Sequence, residues 1–301
     1  MSLLVLGTVA LDHVTTPSGS KKDMLGGSAA HVAMSARLFT DVHLVAVVGK
    51  DFPRKHLDFL RQCKINLTSL KVGDGKTFRW QGEYKVGDLN TALTLATELG
   101  VLENYVPEIR DDQRHIPNLF LANIDPDLQM KLLSLMKKPQ LIGLDSMNLW
   151  INHKQNSLKA LIKKVHLFVA NDGEARALTG EGNLIRAAKA LRKMGPKMIV
   201  IKKGEHGVLF YSDNIMFGFP AYPVEKVLDP TGAGDTFAGG LMGYLSKVGK
   251  VNEKNLRRAL LYATTLASFN VEGFGMNRTA PLTVREMERR AAEFRKFSAH
   301  A

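Results

Sequence analysis

Short apolar runs alternate with amphipathic segments along most of the chain, and this rhythm limits the folds that the sequence can adopt. Residues 3–7 form an apolar run that ends in glycine, and residues 42–49 form a β-branched run that also ends in glycine. Between them, residues 28–39 carry apolar side chains at helical spacing. Continuous apolar runs are typical of strands that are buried on both faces of a parallel sheet. Strand, helix and strand in this order predict a βαβ unit.

The same alternation returns in the second half of the chain. We expect strands at residues 119–122, 141–144, 167–170 and 198–202, and helices at residues 128–136, 158–164 and 187–194. Seven or more strands then fit a doubly wound, mostly parallel sheet of the α/β class. Helical patterns dominate after residue 235, and Thr283 followed by Glu286 predicts a capping box for the last helix.

Two polar stretches interrupt this rhythm. Residues 12–23 and 74–95 are rich in Gly, Thr and polar side chains, and the second stretch alternates in the manner of exposed antiparallel strands. Ordinary loops are the alternative, but a connection of this length without structure would be unusual in a compact domain. We therefore expect a small β-lid, formed by these two segments, inserted into a single domain that spans residues 1–301.

The composition narrows the classes of partner. The net charge of +12 invites a nucleic-acid interpretation, but the basic residues are scattered and lack interleaved aromatic residues, so we expect solvated surface charge and no nucleic-acid partner. No apolar run is long enough to span a bilayer, and the first residues lack the basic region of a signal peptide. We expect a cytoplasmic protein with no membrane partner. The single cysteine, Cys63, follows an amphipathic pattern and is predicted to be a half-buried apolar residue.

The strongest local feature is a small-residue loop, residues 229–235, that leads directly into an apolar helix. Because Gly232 and Gly234 have no Cβ atoms, backbone N–H groups can converge there on one point at a helix N-terminus, which favours an anion. We predict an anion hole, formed together with Ala233, that suits a transferring phosphoryl group. A carboxylate would repel a phosphate, so Asp235 is better explained as a base that accepts a hydroxyl proton. A tight strand–helix junction is the purely structural alternative.

Residues 229–240 resemble, nearly residue for residue, the C-terminal motif of the ribokinase-like (PfkB-type) family of sugar and nucleoside kinases. In that family the glycine loop forms the anion hole and the Asp that follows is the catalytic base. The resemblance covers nearly the whole chain, since the other motifs appear in family order. It implies a three-layer α/β/α fold, a β-lid that closes over the acceptor, and phosphoryl transfer from ATP with Mg²⁺ to a hydroxyl group.

A pair of glycines, Gly26 and Gly27, precedes a predicted helix start that carries His31, and this segment resembles the motif with which the family binds the phosphoryl acceptor. The family also places an acidic residue after the first strand, where this chain has Asp12. The resemblance therefore assigns these four residues to the acceptor site. Many members carry Asn in place of His31, a departure that leaves the acceptor open. Asn123 is a further acceptor candidate, because ligands collect at the carboxyl ends of parallel strands.

Asn171 and Glu174 resemble the Asn-x-x-Glu motif of the family, which orients Mg²⁺ and the phosphates through water. The same pair also fits a helix N-cap with a capping Glu, and the two roles are compatible. The resemblance assigns further nucleotide contacts to Lys202, Gly204, Gly207 and Thr231. For Lys202, as for the neighbouring Lys203, a surface position is the alternative.

Two further positions resemble the family more loosely. Asp145 ends a predicted strand and resembles an Asp-x-Asn segment, although Asn148 lies one place later than in many relatives. Asp229 and Thr231 lie where relatives hold a monovalent cation, so the sequence permits K⁺ without requiring it.

The sequence leaves the acceptor undecided. A phosphosugar would need extra cations, for which Arg79 is the candidate, whereas a nucleoside would need an aromatic shelf, for which Phe78, Trp80 and Tyr84 qualify. We expect a sugar or polyol first and a nucleoside second. A catalytically idle ligand- or nucleic-acid-binding regulator is a third alternative, which the presence of Asp235 disfavours. In relatives the lid sometimes pairs subunits, so a homodimer through the lid is compatible with the sequence.

Overall fold

The computed structural model describes residues 1–298, and within them the chain forms thirteen strands and ten α-helices. The strands are β1 (Leu3–Leu6), β2 (Ala10–Thr16), β3 (Gly19–Gly26), β4 (Val42–Gly49), β5 (Asn66–Gly73), β6 (Arg79–Lys85), β7 (Asp88–Glu98), β8 (Asn118–Leu121), β9 (Leu141–Leu144), β10 (Leu167–Asn171), β11 (Met198–Lys202), β12 (Val208–Tyr211) and β13 (Met216–Phe219). The helices are α1 (Ser28–Ala36), α2 (Arg54–Gln62), α3 (Pro126–Leu135), α4 (Asn148–His153), α5 (Gln155–Ile162), α6 (Asp172–Thr179), α7 (Leu184–Lys193), α8 (Ala233–Val248), α9 (Glu253–Asn270) and α10 (Val284–Ser298).

The main sheet has nine strands in the order β13-β12-β11-β10-β9-β8-β1-β4-β5. Neighbours from β11 to β5 pair in parallel, and β12 and β13 add an antiparallel edge. From β1 the chain builds one half of the sheet through β4 and β5, and it then builds the other half from β8 onwards. A topological switch point therefore lies between β1 and β8, and ligands bind outside the carboxyl ends of the strands at such a point.

Helices cover both faces of this sheet. Leu3 and Val5 of β1 face a core that α1, α2, α8, α9 and α10 complete, whereas Leu4 and Leu6 face a second core that α3 to α7 complete. Successive side chains of a strand point to opposite faces, so a strand between two helix layers needs a continuous apolar run. The predicted three-layer α/β/α fold is confirmed.

The lid is a separate sheet of four strands in the order β3-β2-β6-β7. The pairs β2–β3 and β6–β7 are antiparallel, as expected from the alternating pattern, but the central pair β2–β6 is parallel. The lid contacts the body where the Thr16 hydroxyl donates a hydrogen bond of 2.8 Å to the Leu228 carbonyl oxygen. Strands β3 and β7 are the two edges of the lid sheet, and the pairing of two copies through them stays a prediction.

The predicted capping box of the last helix and the predicted half-burial of Cys63 are confirmed. The Thr283 amide donates to a Glu286 carboxylate oxygen at 3.0 Å, and the Thr283 hydroxyl accepts from the Glu286 amide at 3.2 Å, which is the predicted capping box. Cys63 is half-buried directly after α2. Of the helices within residues 1–298, none has the length and apolar character that crossing a membrane requires.

Two glycines let α8 approach α1 closely. A Cβ atom on Gly239 would overlap the Ser35 hydroxyl, and a Cβ atom on Gly243 would stand 2.8 Å from the Ala36 Cα. Because α1 begins directly after the glycine pair Gly26 and Gly27, this close contact holds the start of α8 beside the end of the lid strand β3.

Overpacking a close contact usually costs about 1–3 kcal/mol, and alanine gains about 1 kcal/mol over glycine in a helix interior. We therefore expect Gly239→Ala to lower the free energy of unfolding by up to about 2 kcal/mol. Urea denaturation measures the change. Gly182→Ala is the matched control, since a Cβ atom at Gly182 meets no atom within 4 Å among the described residues. Equal stability of the two variants would contradict the close packing.

Candidate active site

The loop that precedes α8 has the geometry of an anion site. Gly232 is the N-cap of α8 and has a φ of 75°, in the left-handed region that favours glycine. Ala233 and Gly234 form the start of the helix, where the first N–H groups lack intrahelical partners; the Ala233 amide donates to the Pro230 carbonyl oxygen at 3.1 Å. Asp235 lies in the first turn and is half-buried. The three small residues and the carboxylate are therefore adjacent at the positive end of a sixteen-residue helix.

Buried polar side chains hold this loop in place. The fully buried Asp229 accepts hydrogen bonds from the amides of Thr231 at 2.9 Å and Gly275 at 3.0 Å. The Asn270 side chain donates to the Thr231 carbonyl at 2.8 Å and accepts from the Thr236 hydroxyl at 3.0 Å. The loop amides are thus positioned before any ligand binds. Both carboxylate oxygens of Asp229 are engaged, and its predicted contact with a monovalent cation stays a prediction.

His31 packs against the same loop. A Cβ atom on Gly232 would overlap the imidazole ring, so the glycine is needed for space as well as for its φ angle. Burial lowers the pKa of His31 to about 4, so the ring is neutral at physiological pH. Within residues 1–298, His31 Nδ1 is buried without a hydrogen-bond partner. This contact joins the N-terminal and C-terminal motifs, while the predicted contact of His31 with the acceptor stays a prediction.

Charged side chains from the ends of β9 and β11 and from the first turns of α6 and α8 meet beside the loop. The Lys202 ammonium donates to Asp145 Oδ2 at 2.8 Å, and a Cβ atom on Gly234 would stand 2.9 Å from Lys202 Nζ. Burial and the Asp145 charge raise the pKa of Asp235 to about 7, and Lys202 partly offsets them. Burial and Asp145 also raise the pKa of Glu174. Three carboxylates therefore share one nearby ammonium group.

The structure distinguishes Lys202 from Lys203, which the sequence could not. Burial alone would lower the pKa of Lys202, but Asp145 and Glu174 raise it, so its ammonium keeps its charge. The Lys202 side chain is only 18% exposed, which is not a surface position. Reasoning from sequence missed the Asp145–Lys202 ion pair; that both residues end parallel strands of one sheet was the available signal.

Asn171 and Glu174 form the predicted capping box of α6. Asn171 Oδ1 accepts from the Glu174 amide at 2.7 Å, and Glu174 Oε2 accepts from the Asn171 amide at 2.7 Å. In the described part of the chain, no group of three or more His, Cys, Asp or Glu side chains is arranged to hold a metal ion. The predicted contact of this pair with Mg²⁺ through water stays a prediction.

The acceptor motif encloses a buried carboxylate. A Cβ atom on Gly26 would overlap Asp12 Oδ2, and Gly27, the N-cap of α1, has a φ of 92°. Burial raises the pKa of Asp12 to about 7; the Gly27 amide lowers it, and the charges of Asp229 and Asp235 raise it further. The glycine pair therefore makes room for Asp12 close to the proposed base.

The remaining predicted site residues are Asn123, Gly204 and Gly207, which lie in the segments that follow β8 and β11. Asn123 Oδ1 accepts from the Trp150 indole at 2.9 Å, and Asn123 Nδ2 donates to the Met147 sulfur at 3.1 Å. Its role with an acceptor stays a prediction. Gly204 and Gly207 flank the turn between the antiparallel strands β11 and β12, with φ angles of 54° and 85°.

The lid presents aromatic side chains on the face that carries Asp12. Alternation along β6 puts Trp80, Gly82 and Tyr84 on one face, and the β2–β6 register pairs Trp80 with Asp12. A Cβ atom on Gly82 would overlap the Trp80 indole, so the ring lies flat along the strand. Trp80 Nε1 donates to the Thr94 hydroxyl at 3.2 Å, which fixes the ring further.

Arg79 does not provide the unpaired cation that a phosphosugar would need. Its guanidinium pairs with Asp23 and, at 3.2 Å, with Asp51. Alternation along β6 also puts Arg79 on the face of the lid opposite to Trp80.

Comparison with known proteins identifies the family of the chain. The sequence matches the family described as pfkB family carbohydrate kinase over residues 13–282. A cytidine kinase from Thermococcus kodakarensis is 32% identical over 267 residues, which cover 86% of this chain and 94% of that protein.

Two solved structures share the fold. A nucleoside kinase from Burkholderia thailandensis, in complex with ADP-inosine, has a TM-score of 0.79 at 18% identity, over 99% of this chain and 98% of that one. An E. coli protein assigned as ribokinase II, in complex with ATP and Mg²⁺, has a TM-score of 0.81 at 18% identity, over 97% and 99% of the two chains. From the extent of the family match, the chain belongs to the PfkB family of carbohydrate kinases and is a phosphotransferase.

Proposed function

We propose that the chain transfers the γ-phosphoryl group of ATP to a hydroxyl group of a nucleoside, with Asp235 as the catalytic base. The observation that carries this proposal is the position of Asp235 in the first turn of α8, beside the Gly232–Gly234 loop and the Lys202 ammonium. A carboxylate with a pKa of about 7 is well matched to accept a proton near neutral pH.

The mechanism follows from the charges around the loop. The acceptor hydroxyl lies between Asp12 and Asp235, and the Asp235 carboxylate takes its proton as the hydroxyl oxygen attacks the γ-phosphorus in line. The bond from that phosphorus to the bridging oxygen breaks, and ADP leaves. The amides of the Gly232–Gly234 loop and the Lys202 ammonium offset the charge that develops on the phosphoryl oxygens.

The nucleotide would bind along the ends of β10 and β11. Thr231, Gly204 and Gly207 would line its phosphates beside Lys202. Asn171 and Glu174 would hold Mg²⁺ through water, and the ion when bound screens the phosphate charge. A monovalent cation near Asp229 and Thr231 remains part of this proposal.

Two observations support a nucleoside acceptor. The Trp80 indole lies flat against Gly82, on the face of the lid that Asp12 shares, and such a ring is a surface on which a base can stack. The relative from Thermococcus kodakarensis is a cytidine kinase. A free sugar or polyol is the second candidate, because Asp12 with Gly26 and Gly27 suits any ligand rich in hydroxyl groups.

We expect Asp235→Asn to lower turnover by about 10²–10⁴-fold, since positioned acid–base groups contribute about that much. The amide is close in size to the carboxylate, so the fold and ATP affinity should be retained. A coupled assay of ADP release with Mg²⁺, together with calorimetric titration of ATP, measures both. Unchanged turnover would refute the assignment of the base.

The pH dependence is the accompanying control. Asp235 must be deprotonated to act, and its pKa is raised to about 7, so kcat/KM should fall as the pH drops below about 7. The Asp145 charge contributes to this raised pKa. Asp145→Asn should therefore move the acidic limb of the profile to lower pH. A limb that stays in place would argue against Asp235 as the titrating group.

We expect Lys202→Gln to weaken ADP and ATP binding by about tenfold, the effect of losing one charge-assisted contact. Lys203→Gln is the matched control, because the next residue of the chain leaves the Asp145 ion pair intact. Calorimetric titration measures the affinities, and thermal unfolding reports any loss of stability from the unpaired Asp145. Equal affinities of the two variants would exclude Lys202 from the phosphate site.

A screen of ATP consumption over nucleosides, sugars and polyols, with Mg²⁺ and with or without K⁺, tests the acceptor. We expect nucleosides to give the highest kcat/KM. Ribose is the matched control, since it lacks the base. Trp80→Leu should lower kcat/KM for nucleosides by about tenfold, because base stacking contributes about 1–3 kcal/mol, and should leave ribose unaffected. If kcat/KM for ribose equals that for nucleosides, the acceptor is a sugar, and the proposal of phosphoryl transfer is unaffected.

A further inference from the structure

We infer that Tyr84 is a member of the acceptor site that the lid supplies, and that its phenolic O–H donates a hydrogen bond to a hydroxyl group of the bound acceptor. The contact of this lid side chain with Thr231 of the glycine loop, on the face of the lid that also carries Asp12, carries the inference. It rests on the proposed function and adds a residue that distinguishes acceptors by their hydroxyl groups.

The first observation is the burial of Tyr84 against the body. It lies on β6 of the lid, whose outer strand β7 is mostly exposed, yet Tyr84 itself is only 8% exposed. Its hydroxyl oxygen accepts a hydrogen bond of 3.3 Å from the Thr231 hydroxyl. Tyr84 acts as the acceptor in this bond, so its own proton is left for another partner.

The second observation is the rigidity of the partner. The Thr231 amide donates to Asp229 and the Thr231 carbonyl accepts from Asn270, so the residue on which Tyr84 docks belongs to the braced anion loop. A phenol held by a fixed hydroxyl has a fixed direction. The docked lid therefore offers one oriented donor at the anion loop.

The third observation is the set of charges that face Tyr84. Burial raises the pKa of the phenol, and the charges of Asp229 and of the acceptor-site carboxylates Asp12 and Asp235 raise it further. The hydroxyl therefore stays protonated at physiological pH and can only donate its proton or accept through its lone pairs. The charges that act on the phenol include those of both Asp12 and Asp235, which agrees with the position that the hydrogen bond to Thr231 gives it.

A ligand hydroxyl is the chemical group that can hydrogen-bond to both Asp12 and Tyr84. A hydroxyl both donates and accepts, so it can give its proton to the Asp12 carboxylate and receive the Tyr84 proton on its lone pair. A group that only accepts, such as a carbonyl oxygen, would face the Asp12 charge. We therefore assign to Tyr84 the recognition of a hydroxyl group in the ribose or sugar part of the acceptor.

Tyr84→Phe removes the hydroxyl and keeps the ring. We expect kcat/KM for the acceptor to fall about tenfold, the effect of one lost hydrogen bond, with KM for ATP changed less than about twofold. Tyr105→Phe is the matched control: Tyr105 is 6% exposed, packs in the core on the second face of the sheet, and its hydroxyl lacks a hydrogen-bond partner within residues 1–298. This control should leave both constants unchanged.

Deoxy analogues separate a contact with the ligand from a purely structural role. Each sugar hydroxyl of the preferred nucleoside, or of ribose, is removed in turn and kcat/KM is measured for both proteins. We expect one deoxy position at which the loss is about tenfold smaller in Tyr84→Phe than in the wild-type protein, because the analogue and the variant both remove the Tyr84 hydrogen bond, whereas the contact with Asp12 is lost in both proteins. If every deoxy analogue loses the same factor in both proteins, Tyr84 does not contact the acceptor.

A measurement of binding tests Tyr84 independently of turnover. If the wild-type protein phosphorylates none of the compounds, the proposed function fails. Calorimetric titration of the same nucleosides and deoxy analogues then tests Tyr84 alone. An affinity that is equal in wild-type, Tyr84→Phe and Tyr105→Phe proteins would overturn the inference, and weaker binding confined to Tyr84→Phe would support it.

Discussion

The hydrogen bonds of Asp229 hold together the part of the molecule on which the rest of the site depends. This fully buried carboxylate accepts from the amides of Thr231 and Gly275, and so fixes the loop before α8 to the segment after α9. Burial raises its pKa, and these amides offset part of the cost of keeping it charged. Because a buried carboxylate without such partners would be costly, the loop has little freedom to leave its position. The backbone of this loop is therefore held in place in the folded state.

Excess negative charge is the second constraint on the site. Asp145, Glu174 and Asp235 lie around the Lys202 ammonium, and Asp145 is the residue that pairs with it directly. Burial, together with repulsion from Asp145, raises the pKa values of Glu174 and Asp235. A nucleotide that arrives with a hydrated divalent cation brings positive charge to this cluster and phosphate charge to the loop amides. The two halves of such a ligand match the two adjacent surfaces, one acidic and one rich in N–H donors.

Much of the fold could be predicted because local apolar runs determine where the strands lie. The strands Val42–Gly49, Leu141–Leu144 and Met198–Lys202 match their apolar runs residue for residue, since a strand between two helix layers needs an unbroken run. The parallel pair β2–β6 could not be predicted, because it joins segments far apart in the sequence and depends on how the lid folds back on itself.

For the site, sequence reasoning identified residue types better than contacts. Gly232 was predicted for its backbone freedom, but the contact with His31, which also demands a glycine there, becomes visible only when the two motifs meet. Arg79 looked like a free cation, whereas Asp23 and Asp51 neutralise it. Such pairings are set by tertiary structure, and no local pattern reports them.

The position of the lid gives a physical reason for the order of events that a kinase needs. A phosphoryl donor held in an open site would lose its γ-phosphoryl group to water, so a site that completes itself only when the lid docks protects ATP. Here two hydrogen bonds join the lid to the segment that carries the glycine loop, from Thr16 to Leu228 and between Tyr84 and Thr231. In the proposed mechanism, docking of the lid would therefore bring the acceptor site and the glycine loop together. In the proposed mechanism the acceptor binds to Asp12, which lies on β2 of the same lid sheet, so an acceptor that binds well would also favour the docked lid, and chemistry would start only when both substrates are enclosed.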